Sequence, residues 1–377
     1  MICKLLRFAA TTLALWPHPC QSQPSTFIFG GDIAWTETIQ LPLVKNGNAT
    51  LACPPLPVNR FTQAAPLFSD LIDLLQSADL AFVNLETPIA PPGSQSSLFW
   101  APTFQAHPNL ALLLQQAGID VVSTANNHAF DAGEPGVLHT LHTLAAANLR
   151  TVGTGASLTQ ARQPAILAHR NGRTAFLAYT ATDNSLQGLA TSTRPGAAPL
   201  IPRLIQADIL RVRSQVETVV VSLHWGQIGQ ARPSPQMRAF AHRLIETGAD
   251  IIVGHHPPLP YGIELHQGKP ILYSLGNLAF SYGRPGWTDN MLVQVTLEPR
   301  AVRTITVLPI AGKGCDVIRP YRLRGTRAET LLRDLQQKSA ELGTVMQIQN
   351  DQGIILPLGT SCPGCPSPLS LRQSQRF

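Results

Sequence analysis

A chain of 377 residues with 44% hydrophobic and 13% charged residues holds ample apolar material for a core, which excludes a largely disordered chain. The formal charge of +6 comes from 28 Lys and Arg against 22 Asp and Glu, with no basic run. Such a spread cannot track a phosphate backbone, so no nucleic-acid partner is expected.

The chain opens with Lys4 and Arg7, an apolar stretch from Phe8 to Trp16, then Cys20-Gln21-Ser22 with small residues where a signal peptidase reads. This is the layout of a signal peptide over residues 1–22, and it predicts a secreted or periplasmic protein. The apolar stretch falls short of the ~20 residues a membrane-spanning helix needs. Pro-His-Pro, rather than small aliphatic residues, precedes Cys20, which argues against a lipidated cysteine.

Short apolar runs then alternate with helical patterns. Strands are expected at Thr26–Phe29, Leu80–Val83, Val121–Ser123, Ala175–Ala178, Val219–Leu223, Ile251–Val253 and Ile271–Tyr273. Helices are expected at Leu67–Gln76, Asn109–Ala117, Gly136–Ala147, Ile201–Gln215 and Pro235–Thr247. The alternation predicts βαβ units, hence sheets covered by helices in an α/β fold. Two strands around Glu298-Pro299-Arg300 read as a hairpin, and Arg327–Glu341 reads as a surface helix. Asn46–Pro57 and Ala90–Pro102 read as long loops, and the last dozen residues as a mobile tail. The domain is expected over 26–312, followed by an extension over 313–377.

After export Cys53, Cys315, Cys362 and Cys365 remain, an even number that favours disulfides in an oxidising compartment. Cys362-Pro363-Gly364-Cys365 has no second pair at zinc-site spacing and sits in a Pro/Gly/Ser tail, so it reads as a local disulfide or a free pair.

Polar residues gather where the expected strands end: Gly30-Gly31-Asp32, Asn84-Leu85-Glu86, Asn126-Asn127-His128 with Asp131, His224-Trp225, His255-His256 and Gly276-Asn277. Ligand-binding residues of open α/β sheets lie beyond the carboxyl ends of strands. Singly each group suits a turn or a structural contact. Their recurrence points to carboxylate, amide and imidazole donors converging on a divalent metal such as manganese, iron or zinc.

The ordered series GGD, VNLETPI, TANNHAFDAG, SLHWG, GHHP and YSLGN resembles the CapA (poly-γ-glutamate capsule synthesis) family, related to calcineurin-like metallophosphoesterases, from about Phe27 to about Phe280. The resemblance implies a four-layer α/β/β/α sandwich of the calcineurin-like metallophosphoesterase type. It implies Asp32, Glu86, Asn127, His224 and His255 as metal ligands, with Glu86 bridging two ions. His128 would be the general acid, oriented by Asp131, and a metal-activated water the nucleophile. Asn84, His256, Tyr273 and Asn277 would support the site or its substrate.

The chain also departs from that pattern. Related phosphoesterases begin Asp-x-His, but the third position here is Ala34, and the CapA family usually lacks that His too; the family loop commonly reads GHHPH, but here Pro258 ends it. Proline cannot replace an imidazole ligand, and both losses fall on one metal position. One firmly bound ion and a weak or empty second position are therefore expected. The implied function is an exported hydrolase linked to capsule or poly-γ-glutamate synthesis, export or processing. Its substrate would be an envelope polymer or a phosphoester, its partners membrane proteins of capsule synthesis. The alternative is a catalytically weak scaffold that binds polymer or partners. No Gly-rich phosphate loop with its lysine and no Gly-x-Ser-x-Gly elbow is present.

Overall fold

The β-branched runs become sheet centres. The computed structural model describes residues 23–35, 67–91, 104–181, 188–299 and 301–357. The expected signal peptide, the Asn46–Pro57 loop, most of Ala90–Pro102, the C-terminal tail and Cys53, Cys362 and Cys365 lie outside the described residues.

The strands are β1 (Ser25–Ala34), β2 (Leu80–Leu85), β3 (Val121–Ser123), β4 (Arg150–Val152), β5 (Thr154–Gly155), β6 (Ala165–His169), β7 (Gly172–Thr180), β8 (Gly196–Ala197) and β9 (Thr218–His224). They continue with β10 (Ile251–His255), β11 (Ile263–His266), β12 (Lys269–Leu272), β13 (Asn277–Phe280), β14 (Asn290–Glu298), β15 (Ala301–Ile310), β16 (Gln347–Gln349) and β17 (Gln352–Ile355). The helices are α1 (Ile72–Gln76), α2 (Asn109–Gln116), α3 (Gly133–Ala146), α4 (Leu158–Ala161), α5 (Pro202–Arg213), α6 (Pro235–Thr247) and α7 (Gly325–Glu341).

A first sheet of nine strands runs β16-β17-β15-β14-β1-β2-β3-β4, with β13 beside β1; a second of six runs β11-β12-β10-β9-β7-β6; β5 and β8 form a ribbon. Pleat alternation sorts the side chains into layers. On β2, Ala81 and Val83 pack with Leu75, Leu110, Leu114 and Leu144 of α1, α2 and α3. Leu80 and Phe82 face the other way, towards Phe176, Val220 and Val253 of the second sheet. There Leu177, Val219 and Val221 pack outward on Ile205, Ile209 and Leu244 of α5 and α6. The result is the expected four-layer α/β/β/α sandwich. Phe82 and Phe176 stack across its middle, with ring centroids 5.6 Å apart and planes 6° from parallel.

Local chemistry sets the helix limits. Helix α6 starts where the Ser234 hydroxyl accepts from the Met237 N–H with Pro235 next in line, and it stops at Gly248, whose φ is 125°. Helix α1 covers only Ile72–Gln76 of the predicted Leu67–Gln76. Among the described residues no helix is long and apolar enough to cross a membrane.

The segment expected as a C-terminal extension joins the fold. Strand β17 pairs with β15, and α7 buries Leu331, Leu332 and Leu335 in the layer between the sheets. The rest of α7 is polar, which is why the sequence reads as a surface helix. Cys315 is disulfide-bonded.

Candidate metal centre

The centre begins with an irregularity in β1. Phe29 pairs with Phe82 of β2, but the next pair is Asp32 with Asn84, so β1 uses one residue more than its neighbour. A bulge of this kind reverses the alternation and re-aims the side chain that follows. Asp32 thereby faces the layer between the sheets, as Phe29 does. Gly31 makes the bulge possible: a Cβ there would collide with the Gly276 carbonyl oxygen, which accepts the Asp32 N–H at 3.0 Å. Asn84 and Glu86 follow the parity of Phe82 and reach the same layer beyond β2.

The second sheet contributes from the opposite side. His224 shares the parity of Val220, and His255 that of Val253, so both imidazoles point inward. His255 Nδ1 comes within 3.0 Å of Asp32 Oδ1, yet without hydrogen-bond alignment, and neither of its ring nitrogens has a hydrogen-bond partner. His256 leaves the strand at φ 96°. That turn lets its N–H donate to Asp32 Oδ2 at 2.9 Å while its own ring swings to His224.

Around His224 Nε2 lie Asn127 Oδ1 at 2.6 Å, His256 Nδ1 at 3.1 Å and Glu86 Oε1 at 3.5 Å. With His224 protonated on Nδ1 and His256 on Nε2, all of these atoms present lone pairs to one another. A cation would serve them all. The donor atoms of Glu86, His224 and His256 lie within 4.8 Å of one another, and two imidazoles, a carboxylate and an amide oxygen suit manganese, iron or zinc. The residues present therefore fit a divalent ion.

This grouping adds His256, expected as a support residue, to Glu86 and His224, while the His255 ring stands between Asp32 and Phe82, 6.0 Å from the latter between centroids. Asp32 is fully buried, but both its oxygens already accept N–H groups: Oδ1 from Asn84 Nδ2 at 2.8 Å and Oδ2 from His256. Burial, with the charges of Asp32 and Asp131 behind it, holds the Glu86 carboxyl well above its ordinary range. Burial, then His256, His255 and His128, holds the His224 imidazole well below its own.

Beside this group stands a hydrogen-bonded histidine–aspartate pair. His128 Nδ1 lies 2.8 Å from Asp131 Oδ2, so the carboxylate keeps the proton on Nδ1 and leaves Nε2 for other work. Asp131 also accepts the Phe104 N–H at 2.7 Å, and the Phe104 ring lies 4.1 Å from the His128 ring between centroids. Asn126 ties the loop to β2, donating to Asn84 Oδ1 at 3.3 Å and to the Leu85 carbonyl at 2.7 Å while accepting from the His128 N–H. Sequence reasoning missed Phe104 and gave Asn126 no role. The Asn-Asn-His run marks Asn126, but no local signal marks Phe104.

The last two expected support residues differ in outcome. Asn277 pairs with Asp32 across β13 and β1, buried beside the centre with no hydrogen-bond partner for Nδ2. Tyr273 is not brought to the site. It stacks on Trp225 in the layer under α5 and α6, and its hydroxyl donates to Glu264 at 2.6 Å.

The chain is similar to known proteins to differing extents. The chain is 31% identical over 278 residues to the PGA biosynthesis protein CapA of Bacillus subtilis (strain 168), covering 73% of this chain and 72% of that protein. It is 32% identical over 203 residues to the capsule biosynthesis protein CapA of Bacillus anthracis, covering 52% of this chain and 49% of that one. Among solved structures, the NAD nucleotidase of Haemophilus influenzae matches with a TM-score of 0.41 and 11% identity, covering 83% of this chain and 56% of that one. A putative 5'-nucleotidase from Staphylococcus aureus matches with a TM-score of 0.43 and 12% identity, covering 83% and 58%. The chain thus spans little more than half of each of those structures. The pattern of the family described as bacterial capsule synthesis protein PGA_cap matches residues 26–282, and the chain belongs to that family.

Proposed function

We propose that this chain is an exported, metal-dependent hydrolase that acts in the synthesis, export or processing of a poly-γ-glutamate or similar envelope polymer. The observation that carries the reading is the adjacency of two devices. Asn127 Oδ1 contacts His224 Nε2 at 2.6 Å, and the next residue is the aspartate-held His128. The names borne by the Bacillus relatives support the capsule setting. The disulfide at Cys315 supports an oxidising compartment.

Glu86, His224, His256 and Asn127 would hold one ion, which when bound supplies an activated water and polarises the bond to be cut. Asp32 acts from behind, its oxygens tying Asn84 and the His256 backbone in place. His128 donates the Nε2 proton to the leaving group, and Asp131 stabilises the imidazolium and fixes its tautomer. Both an amide of a γ-glutamyl polymer and a phosphoester are within this chemistry. Membrane proteins of capsule synthesis would be its partners.

Elemental analysis of the purified exported chain beside Glu86→Gln and His224→Ala tests the centre, followed by release assays on γ-glutamyl polymers and phosphoesters. One transition-metal ion per wild-type chain, lost in both variants, is expected. A wild type that stays empty when supplied with manganese, iron and zinc would sink the reading. The second reading, a polymer-binding scaffold, draws on Pro258, where the family loop commonly has a histidine. It predicts that His128→Gln leaves the capsule phenotype unchanged.

A further inference from the structure

We propose that Arg284 and Tyr282 form the subsite that holds the carboxylate beside the bond to be cut in a glutamyl polymer. This rests on the polymer reading above and names how the substrate is recognised.

The starting point is what fills the ground around Ala34. Ala34 pairs with Phe280 of β13, and its carbonyl accepts the Ser281 N–H at 3.1 Å. Ala34 is buried in a cluster with Phe104, Phe280, Tyr282 and Val317, and Trp287 packs against it. Where related enzymes place a metal-binding imidazole, this chain has a wall of rings. The wall is continuous with the acid: Phe104 lies 4.1 Å from His128 and 6.1 Å from Tyr282 between centroids. At its outer end the Arg284 guanidinium sits over the Tyr282 ring, 5.6 Å from the centroid. Trp287 closes the wall, 5.5 Å from Tyr282.

Arg284 is half-buried and forms no ion pair with a described carboxylate, unlike Arg162, Arg238 and Arg327, which are paired with Asp208, Glu264 and Asp289. A guanidinium held at the Tyr282 side chain by the ring and by a hydrogen bond to its hydroxyl keeps further donors for a planar carboxylate. Burial pushes the Tyr282 hydroxyl up to about 12, with Arg284 pulling it down and the Glu86 charge raising it. The hydroxyl therefore stays protonated and can donate, and it lies within electrostatic reach of Glu86.

Charge explains why such a device is needed. The centre holds three carboxylates, Asp32, Glu86 and Asp131, against the two positive charges that a divalent ion would bring, so a polyanion entering it meets like charge. A cation on the His128 side of the centre offsets that repulsion and fixes the register of the chain. A carboxylate on Arg284 would set the polymer at one end of the ring wall whose other end is His128.

The test is calorimetric titration of a short γ-linked glutamate oligomer, and of its fully methyl-esterified form, into the full mature chain. Wild type, Arg284→Gln, Arg284→Lys and Tyr282→Phe are compared, with metal content and thermal midpoint measured on each. Binding of the acid but not the ester, weakened about 10-fold or more in Arg284→Gln and less in Arg284→Lys, with metal content unchanged, is expected. Equal binding by Arg284→Gln, or equal binding of the ester by wild type, overturns the proposal. Loss of affinity that tracks loss of metal or of fold in both Arg284 variants also overturns it, as a structural role. Arg284-dependent binding of inorganic phosphate without any binding of the oligomer overturns the carboxylate assignment. The metal-hydrolase reading is judged separately, on metal content and hydrolysis.

Discussion

His224 lies directly opposite His255 in the second sheet, yet its Nε2 meets the ring of His256 instead, 3.1 Å away. Two neighbouring histidines thus divide the work. One stays in the pleat against Asp32, and the other, turned by a positive φ, completes the lone-pair group with Glu86.

The division predicts the metal behaviour of single variants. His256→Ala should lose the ion as fully as His224→Ala, whereas His255→Ala should retain most of it. Elemental analysis after exhaustive dialysis reads the difference. Wild type should hold one ion per chain, since Asp32 has both oxygens engaged by N–H donors. Two tightly held ions would contradict this arrangement.

His128→Gln and Asp131→Asn should separate catalysis from assembly. A positioned general acid contributes about 10²- to 10⁴-fold. Turnover should fall by that order in His128→Gln and by less in Asp131→Asn, with metal content unchanged in both. Stopped assays on whichever polymer or phosphoester is turned over give the ratio.

The stacked pair Phe82 and Phe176 holds the two sheets face to face. Phe176→Ala removes the partner farther from the metal group and leaves a cavity in the middle layer. Core Phe→Ala changes cost about 3–5 kcal/mol. Denaturant unfolding followed by fluorescence should show a loss of that size.

Acid should loosen the contact between α7 and the first sheet. Burial raises the Asp289 carboxyl, but hydrogen bonds from Arg327 and from the Gly312 and Lys313 N–H groups outweigh it, and the net shift is downward. Arg327 Nε donates to Asp289 at 2.7 Å. A carboxylate depressed in the folded state stabilises fully above its unfolded value and loses that contribution as pH falls through the folded one. Arg327→Met should therefore cost most at neutral pH, and the gap to wild type should narrow towards about pH 3. Chemical denaturation at both pH values measures it.

The alternation of apolar runs was enough to place β2, β9, β10 and the β14–β15 hairpin, because buried strands are written in short runs of apolar residues, β-branched in β9 and β10. Strands β6 and β11 escaped, being half-buried and mixed in composition. Of the candidate site, Glu86, Asn127, His128, Asp131 and His224 were legible as polar residues just past strand ends. His255 and His256 were not distinguishable in sequence, since only the backbone turn at His256 decides which ring leaves the pleat. Tyr273 was misplaced because adjacency to a motif says nothing about which face a side chain takes. Phe104 reaches His128 across 24 residues of sequence, a long-range contact that no local pattern encodes.

The family pattern ends at residue 282, well short of the three leucines of α7 that lie between the sheets. A protein trimmed to that match, or to residue 312, would open the middle of the sandwich to water and strip β17 from β15, or β14 and β15 as well. Bare strand edges and wetted leucines invite self-association. Such a fragment should sediment as aggregates, whereas a chain ending after Ile355 should stay dispersed. In this protein the stretch from α7 to β17 works as a stopper for the whole fold.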